Sequence, residues 1–160
     1  MQLDNFYLEK YDSTIPIHKT VIVELCNDKN SSDFLGDLEY HILEVNKRKE
    51  ETFELENIIY IAFYNYNPIG FISLTHKSER YEIAYGITPK FRGYHLGSLL
   101  FLEFSERIFM EFDKINELTL MISNQNTSSK KTALLAGFDK VSSAKYVQRR
   151  KWKNNAKKKM

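Results

Sequence analysis

The chain has 160 residues, ample for one domain with a real core, and carries 42% hydrophobic and 14% aromatic residues, only six glycines and three prolines, and a net charge of +2. This composition excludes a disordered, collagenous or low-complexity protein. The longest apolar runs, such as Ile58–Tyr64, are far too short to cross a bilayer, and the start MQLDNFYLEK has no basic region followed by an apolar one. A cytoplasmic protein without membrane contact is expected.

In chain order, a first strand is expected near Phe6–Tyr11. A polar, helical region follows through Lys49, with apolar residues at Leu35, Leu38, His41–Leu43 and Val45. The lid region, Ser13–Glu54, is expected to lie on the substrate side. Cys26, the single cysteine, is read as a small packed hydrophobe. Ile58–Tyr64 and Ile69–Leu74 are β-branched and aromatic runs separated by Asn65–Pro68, the pattern of a hairpin around an Asn-Pro turn. Glu79–Ile87 is a third antiparallel strand. From about His95 to Phe112, Leu96, Leu99, Leu100, Phe104, Ile108 and Phe112 recur near helical spacing, so one helix face packs on a sheet. Core packing likewise explains Phe101 and Phe109. Glu117–Ser123 is a strand, Asn126–Leu135 a short helix stopped by Gly137, and Phe138–Trp152 a closing pair of strands. Residues 1–152 are read as one domain and 153–160 as a basic tail.

Charge is unevenly spread. All 21 acidic residues fall within 1–139, whereas the last 21 positions hold nine Lys or Arg and no acid. The acidic body favours cationic substrates such as amines, and the tail RRKWKNNAKKKM is suited to a solvated terminus or to RNA or ribosome contact. Along the final strand, Arg149, Arg150, Lys151 and Lys153 around Trp152 are expected to turn basic heads to solvent. His18, His41 and His76 are scattered without ligand spacing, so no metal is expected.

The most informative stretch is Tyr81–Gly97, YEIAYGITPKFRGYHLG, in which a strand pattern runs into a glycine-bearing turn that opens an amphipathic helix. Such a turn, together with the unsatisfied N–H groups and positive dipole end of the helix, forms a cradle for a pyrophosphate. Gly93 and Gly97 let backbone approach a ligand closely, Arg92 adds a charged fork of donors, and Ser98 offers a hydroxyl on the first helical turn.

The order hairpin, strand, phosphate turn, helix, strand, helix, strand resembles the GNAT superfamily of acyl-CoA-dependent N-acetyltransferases from Ile58 to the closing strands. The family's pyrophosphate signature, R/Q-x-x-G-x-G/A, stands here as Arg92-Gly93-Tyr94-His95-Leu96-Gly97. Its downstream signature stands as Asn126, Ser129 and the pair Gly137-Phe138. Within the superfamily the pattern looks most like the branch of ribosomal-protein N-terminal acetyltransferases and their small-amine relatives. The resemblance implies an α/β fold of the α+β type, with a mixed, mostly antiparallel central sheet flanked by helices. It implies acetyl-CoA as co-substrate and direct transfer, in a ternary complex, to a primary amine of a protein N-terminus or small molecule. Backbone groups of Ile87 and Thr88 would hold the pantetheine arm and polarise the acetyl carbonyl, Asn126 would contact the arm and Ser129 the CoA region. Capping of the short helix is the rival reason for Asn126 and Ser129. Glu82, with Tyr85 nearby to orient it, is the candidate base for the amine, set against an ordinary outward-facing strand glutamate.

Two positions depart from the family pattern. His95 stands where the middle glycine is usual; its backbone N–H remains available to a phosphate if the local φ is negative. Ala133 stands where many members carry the tyrosine that protonates the leaving thiolate, which leaves that task to another group or to water. These departures and the basic tail motivate the alternative, a non-catalytic acyl-CoA-binding or ribosome/RNA-associated module. The acceptor amine and the assembly state, a homodimer among the options, stay open.

Overall fold

The structure, a computed structural model, describes residues 5–28, 57–77 and 79–150. The helical pattern at Leu35–Val45, most of the expected lid, the side chain of Cys26, Trp152 and the basic tail lie outside the described residues. Within them the elements are β1 (Phe6–Lys10), α1 (Pro16–Asn27), β2 (Asn57–Tyr64), β3 (Asn67–Lys77), β4 (Arg80–Ile87), a short 3₁₀ turn (Pro89–Phe91), α2 (Leu96–Glu111), β5 (Glu117–Met121), α3 (Thr127–Leu135), β6 (Asp139–Lys140) and β7 (Lys145–Arg149). The strands form one seven-stranded sheet in the order β1-β2-β3-β4-β5-β7-β6. Every pairing is antiparallel except β4 with β5, so the sheet is mixed and mostly antiparallel, as expected.

Alternation along the strands sorts the core onto two faces. Ile58, Tyr60, Ala62, Ile72, Leu74 and Ile83 point to the face covered by α2 and α3, where Leu100, Phe101, Phe104 and Ile108 are fully buried. Ile59, Ile61, Phe63 and Phe71 point the other way and pack against Val21, Ile22 and Leu25 of α1. α1 begins at Pro16, whose fixed φ suits a first helical position. It is tied to β1 through buried His18: Nδ1 accepts the Asp12 N–H at 3.0 Å, which leaves Nε2 to donate to Glu9 at 2.9 Å. His76 stacks on Tyr81 at 4.4 Å between ring centroids.

The β2–β3 hairpin turns on two residues rather than on an Asn-Pro turn. Asn65 and Tyr66 both have positive φ, 51° and 67°, the signature of the type I′ turn whose twist matches the flanking strands. Pro68 instead enters β3 opposite Phe63, where the register shifts between Ala62 and Phe63.

Arg150 differs most from its expected role. Its guanidinium does not face solvent for an RNA; it donates to the Phe109, Phe112 and Ile115 carbonyls at and beyond the end of α2, the latter two at 2.7 Å, and lies over the Phe109 ring. A helix C-terminus is the negative end of its dipole and has unsatisfied carbonyls, so a half-buried cation there satisfies them. Arg149 pairs with Glu117 at 3.1 Å on the exposed rim.

Candidate active site

The sheet opens at the junction of β4 and β5, the one parallel pair among the described residues. β4 and β5 share one paired position, Glu82 with Thr119, and beyond it the two carboxyl ends part. The Ile122 N–H, past the end of β5, bonds the Ala144 carbonyl leading into β7 instead of β4. On the β4 side, the Thr88 N–H donates to the Ile69 carbonyl at 2.8 Å. Because N–H and C=O groups alternate sides along a strand, Gly86 also faces β3, while the amides of Tyr85 and Ile87 face the gap. Of the two residues expected to hold an acyl donor's arm, Thr88 is therefore spent within the sheet, and Ile87 presents its N–H where a third strand would lie.

The gap leads into a cavity of about 450 Å³ lined by Tyr85–Ile87 of β4, by Phe91–Gly93 and His95–Gly97 around the turn, and by Asn126, Ser128, Ser129, Lys131, Thr132 and Leu135 of α3 and its cap. Gly93 has φ of 85° with nothing within 4 Å of a β-carbon position. His95 is left-handed as well, at φ 61°, so the negative φ entertained for it is not realised. The turn needs that conformation, and histidine is among the few non-glycine residues that tolerate it. A left-handed N-cap also sends its side chain elsewhere, and among the described residues no side chain caps α2. The first N–H groups of α2 consequently point into the cavity without a partner from a cap, an arrangement that fits an anion. At Gly97 a β-carbon would sit 2.8 Å from Thr132 Cγ2, so glycine is what lets α2 approach α3.

The remaining candidates divide. Arg92 lines the cavity, but its Nε donates to the Ile87 carbonyl at 2.9 Å and a terminal nitrogen pairs with Asp28 at 2.8 Å. It braces the turn against β4 and α1. Tyr94 is exposed, and Ser98 Oγ donates to the Thr132 carbonyl at 3.4 Å, so neither lines the cavity. Asn126 does cap α3, accepting the Ser129 N–H at 3.2 Å. Ser129 Oγ lies 2.6 Å from the Tyr85 hydroxyl, whose ring meets Phe101 edge-on at 4.5 Å. Burial raises the Tyr85 hydroxyl above the usual phenol range, opposed by that hydrogen bond and by the Arg92 charge, so it is protonated at neutral pH.

Glu82 and Tyr85 are not brought together. Three positions apart on one strand, they lie on opposite faces: Tyr85 toward α2 and α3, Glu82 toward α1, on the face where a β-carbon at Gly86 would meet Phe71 and Leu25. Glu82 pairs with Arg80 at 2.8 Å, and its side chain is 15% exposed. Ala133 is fully buried and does not line the cavity. Missed in the sequence were Gly86 and Phe91 around the turn and, on α3, Ser128, Lys131, Thr132 and Leu135. On α3 the i, i+3, i+4, i+7 spacing after Asn126 is the stripe one helix face would present, a signal weakened because α3 is hardly amphipathic. Among the described residues, no group of three or more His, Cys, Asp or Glu is placed to hold a metal, and no helix is long and apolar enough to cross a membrane.

Residues 23–138 match the model of the acetyltransferase (GNAT) family. The chain belongs to that family. Membership makes it an acetyl-CoA-dependent N-acetyltransferase, with acetyl-CoA as co-substrate. No curated protein matches the chain by sequence. Among solved structures it is similar in fold to the aminoglycoside acetyltransferase AAC(6')-Ib in complex with coenzyme A, at 16% identity and TM-score 0.73, covering 95% of this chain and 99% of that one. It is similar to the ribosomal L7/L12 alpha-N-protein acetyltransferase RimL in complex with coenzyme A, at 13% identity and TM-score 0.70, covering 91% and 94%. A ribosomal-protein-S5-alanine acetyltransferase from Vibrio fischeri aligns at 9% identity and TM-score 0.71, covering 95% and 97%.

Proposed function

We propose that this GNAT acetyltransferase passes the acetyl group directly to the primary amine of a small molecule or a protein N-terminus, with both substrates bound at once. The observation that carries this is the gap between β4 and β5, which opens from a cavity whose far wall is the uncapped end of α2. Solved neighbours described with an aminoglycoside or as ribosomal-protein acetyltransferases support both kinds of amine.

Residues would act as follows. The first N–H groups of α2 hold the donor's pyrophosphate, and the Ile87 N–H lies along its arm at the open edge of β4. Strand alternation then separates the two proton transfers. As the amine nitrogen bonds to the carbonyl carbon and the carbon–sulfur bond breaks, Glu82 on the α1 face takes the amine's proton, directly or through water. On the opposite face, the Tyr85–Ser129 hydroxyl pair is placed to return a proton to the departing sulfur, the task that Ala133 cannot perform.

The test is thiol release from acetyl-CoA across N-terminal peptides, polyamines, amino sugars and aminoglycosides, with acetyl-CoA binding followed by thermal shift. Glu82→Gln is expected to lower kcat about 100-fold or more at unchanged binding. Unchanged turnover would remove Glu82 as the base. Binding without release to any amine would favour the module reading, and no binding at all would defeat the acetyl-transfer reading.

A further inference from the structure

Few charges stand on the wall of the donor cavity. Apart from Tyr85, whose hydroxyl keeps its proton at neutral pH, the ionisable residues lining it are Arg92, His95 and Lys131, with no carboxylate among them. An acid nevertheless stands directly behind one of these cations. Asp28, which does not itself line the cavity, accepts from a terminal nitrogen of Arg92 at 2.8 Å, across 64 positions of chain.

Asp28 is the C-cap of α1, with its N–H bonded to the Glu24 and Leu25 carbonyls. α1 has no basic residue in its last turn, so Arg92 meets both the negative end of that helix and the Asp28 carboxylate. At 2.8 Å the two side-chain charges largely cancel for a ligand on the far side of the guanidinium, and Arg92 offers the cavity hydrogen bonds with little net charge. The arginine has other anchors. Its Nε donates to the Ile87 carbonyl at 2.9 Å and its backbone N–H to the Pro89 carbonyl at 3.3 Å. Asp28 therefore changes the charge of the wall more than the position of the turn.

We propose that Asp28 tempers the cavity's attraction for the donor's phosphates and so sets how readily CoA leaves after transfer. This rests on the reading above that the donor's pyrophosphate lies at the first N–H groups of α2. Acetyl-CoA and the CoA product carry the same phosphates, so attraction to those groups binds both alike. It raises affinity without favouring the transition state, and it holds back the product. A carboxylate behind the arginine limits that attraction while leaving the guanidinium in the wall. A guanidinium with a hydrogen bond on either side puts the Asp28 carboxylate about 8 Å from a phosphate. The pair is partly exposed, 36% at Arg92 and 18% at Asp28, so water screens this charge. One charge acting through water from about 8 Å on a pyrophosphate of charge about −2 changes affinity roughly fivefold.

The experiment compares the full chain with Asp28→Asn, which has the same shape and keeps an acceptor for Arg92 but removes the charge. CoA, acetyl-CoA and S-acetyl-pantetheine, the same thioester arm without its phosphates, are titrated by calorimetry, and dissociation of CoA is followed by stopped flow. Asp28→Asn is expected to bind CoA and acetyl-CoA about fivefold more tightly in about 0.01 M salt, with dissociation slowed by a similar factor. The gain disappears in about 1 M salt, where charges are screened beyond about 3 Å, and it is absent for S-acetyl-pantetheine. If Asp28 only propped the turn, its substitution would loosen the wall and weaken all three ligands. Unchanged or weaker binding of CoA by Asp28→Asn therefore overturns the proposal, and so does an equal gain for S-acetyl-pantetheine. In either case a parent protein that binds acetyl-CoA more tightly than S-acetyl-pantetheine leaves the donor placement standing. A parent that binds the two alike holds no phosphate in this cavity, which removes the donor placement and this proposal with it.

Discussion

Gly97 provides a quantitative test of how the donor cavity is built. An alanine there adds one methyl at 2.8 Å from Thr132 Cγ2, roughly 1 Å inside an ordinary carbon–carbon contact of about 3.5–4.0 Å. Thr132 cannot simply rotate away, because its hydroxyl is held by the Ser128 carbonyl at 2.9 Å, so α3 must shift. Two terms compete: alanine in place of glycine in a helix is favourable by about 1 kcal/mol, while overpacking costs about 1–3 kcal/mol. The crowding is expected to win, so that Gly97→Ala is destabilised by about 1 kcal/mol. The shift also moves the Ser128, Lys131 and Leu135 wall of the cavity, and acetyl-CoA affinity falls with it. Adding Thr132→Ser removes the offending methyl but keeps the hydroxyl. The double variant should regain affinity and recover the crowding term relative to Gly97→Ala. Urea denaturation gives the stabilities and thermal shift with acetyl-CoA the binding. A Gly97→Ala single variant at least as stable as the parent, with unchanged affinity, refutes the reasoning.

Arg150→Leu should cost about 3 kcal/mol, because several helix-end carbonyls lose a charged donor together, and lower the melting temperature by roughly 6–12 °C. Equal stability of the variant in a thermal melt would show that solvent already satisfies those carbonyls. Tyr60 and Tyr85 are both raised above the ordinary phenol value by burial, further by Glu111 at Tyr60. A proton held more tightly in the folded state gives stability that is complete below the unfolded value near pH 10 and is lost as pH rises toward the folded values. Tyr60→Phe with Tyr85→Phe should therefore flatten the alkaline fall in urea-derived stability, and an unchanged slope would contradict the shifts.

The sequence was most readable where periodicity and glycine chemistry coincide. The β-branched and aromatic runs at β2 and β3, the strand pattern of β4 and the apolar stripe from Leu96 to Phe112 correspond to strands and a helix within a few residues of the expected limits. The turn from Arg92 to Gly97 was legible because left-handed backbone and close approach need particular residues. Partnerships set by tertiary contact were not legible. Nothing local in RRKWK says that one arginine closes α2, 38 to 41 residues upstream in chain position, while its neighbour stays on the rim. Nor does RGYHLG say that its arginine is taken by Asp28, 64 positions away.

Strand parity is the part of the site that could have been read but was taken too loosely. Glu82 and Tyr85 are three apart, so any regular strand puts them on opposite faces, and an orienting contact between their side chains was excluded by counting alone. That same parity places a carboxylate on one side of β4 and a hydrogen-bonded tyrosine on the other, with the unpaired edge of the strand between them. Amide formation from a thioester requires a proton to leave the amine and a proton to meet the sulfur, and a single acid–base group in one pocket would have to serve both within one turnover. Separating them across a strand removes that conflict. It also predicts how the two halves fail: Glu82→Gln should slow transfer whatever the leaving thiol. Ser129→Ala together with Tyr85→Phe should slow it for acetyl-CoA but much less for an acetyl thioester of a more acidic thiol, whose sulfur departs without a proton. If the paired variant slows both thioesters equally while binding is unchanged, the tyrosine and serine shape the cavity and do not serve the leaving group.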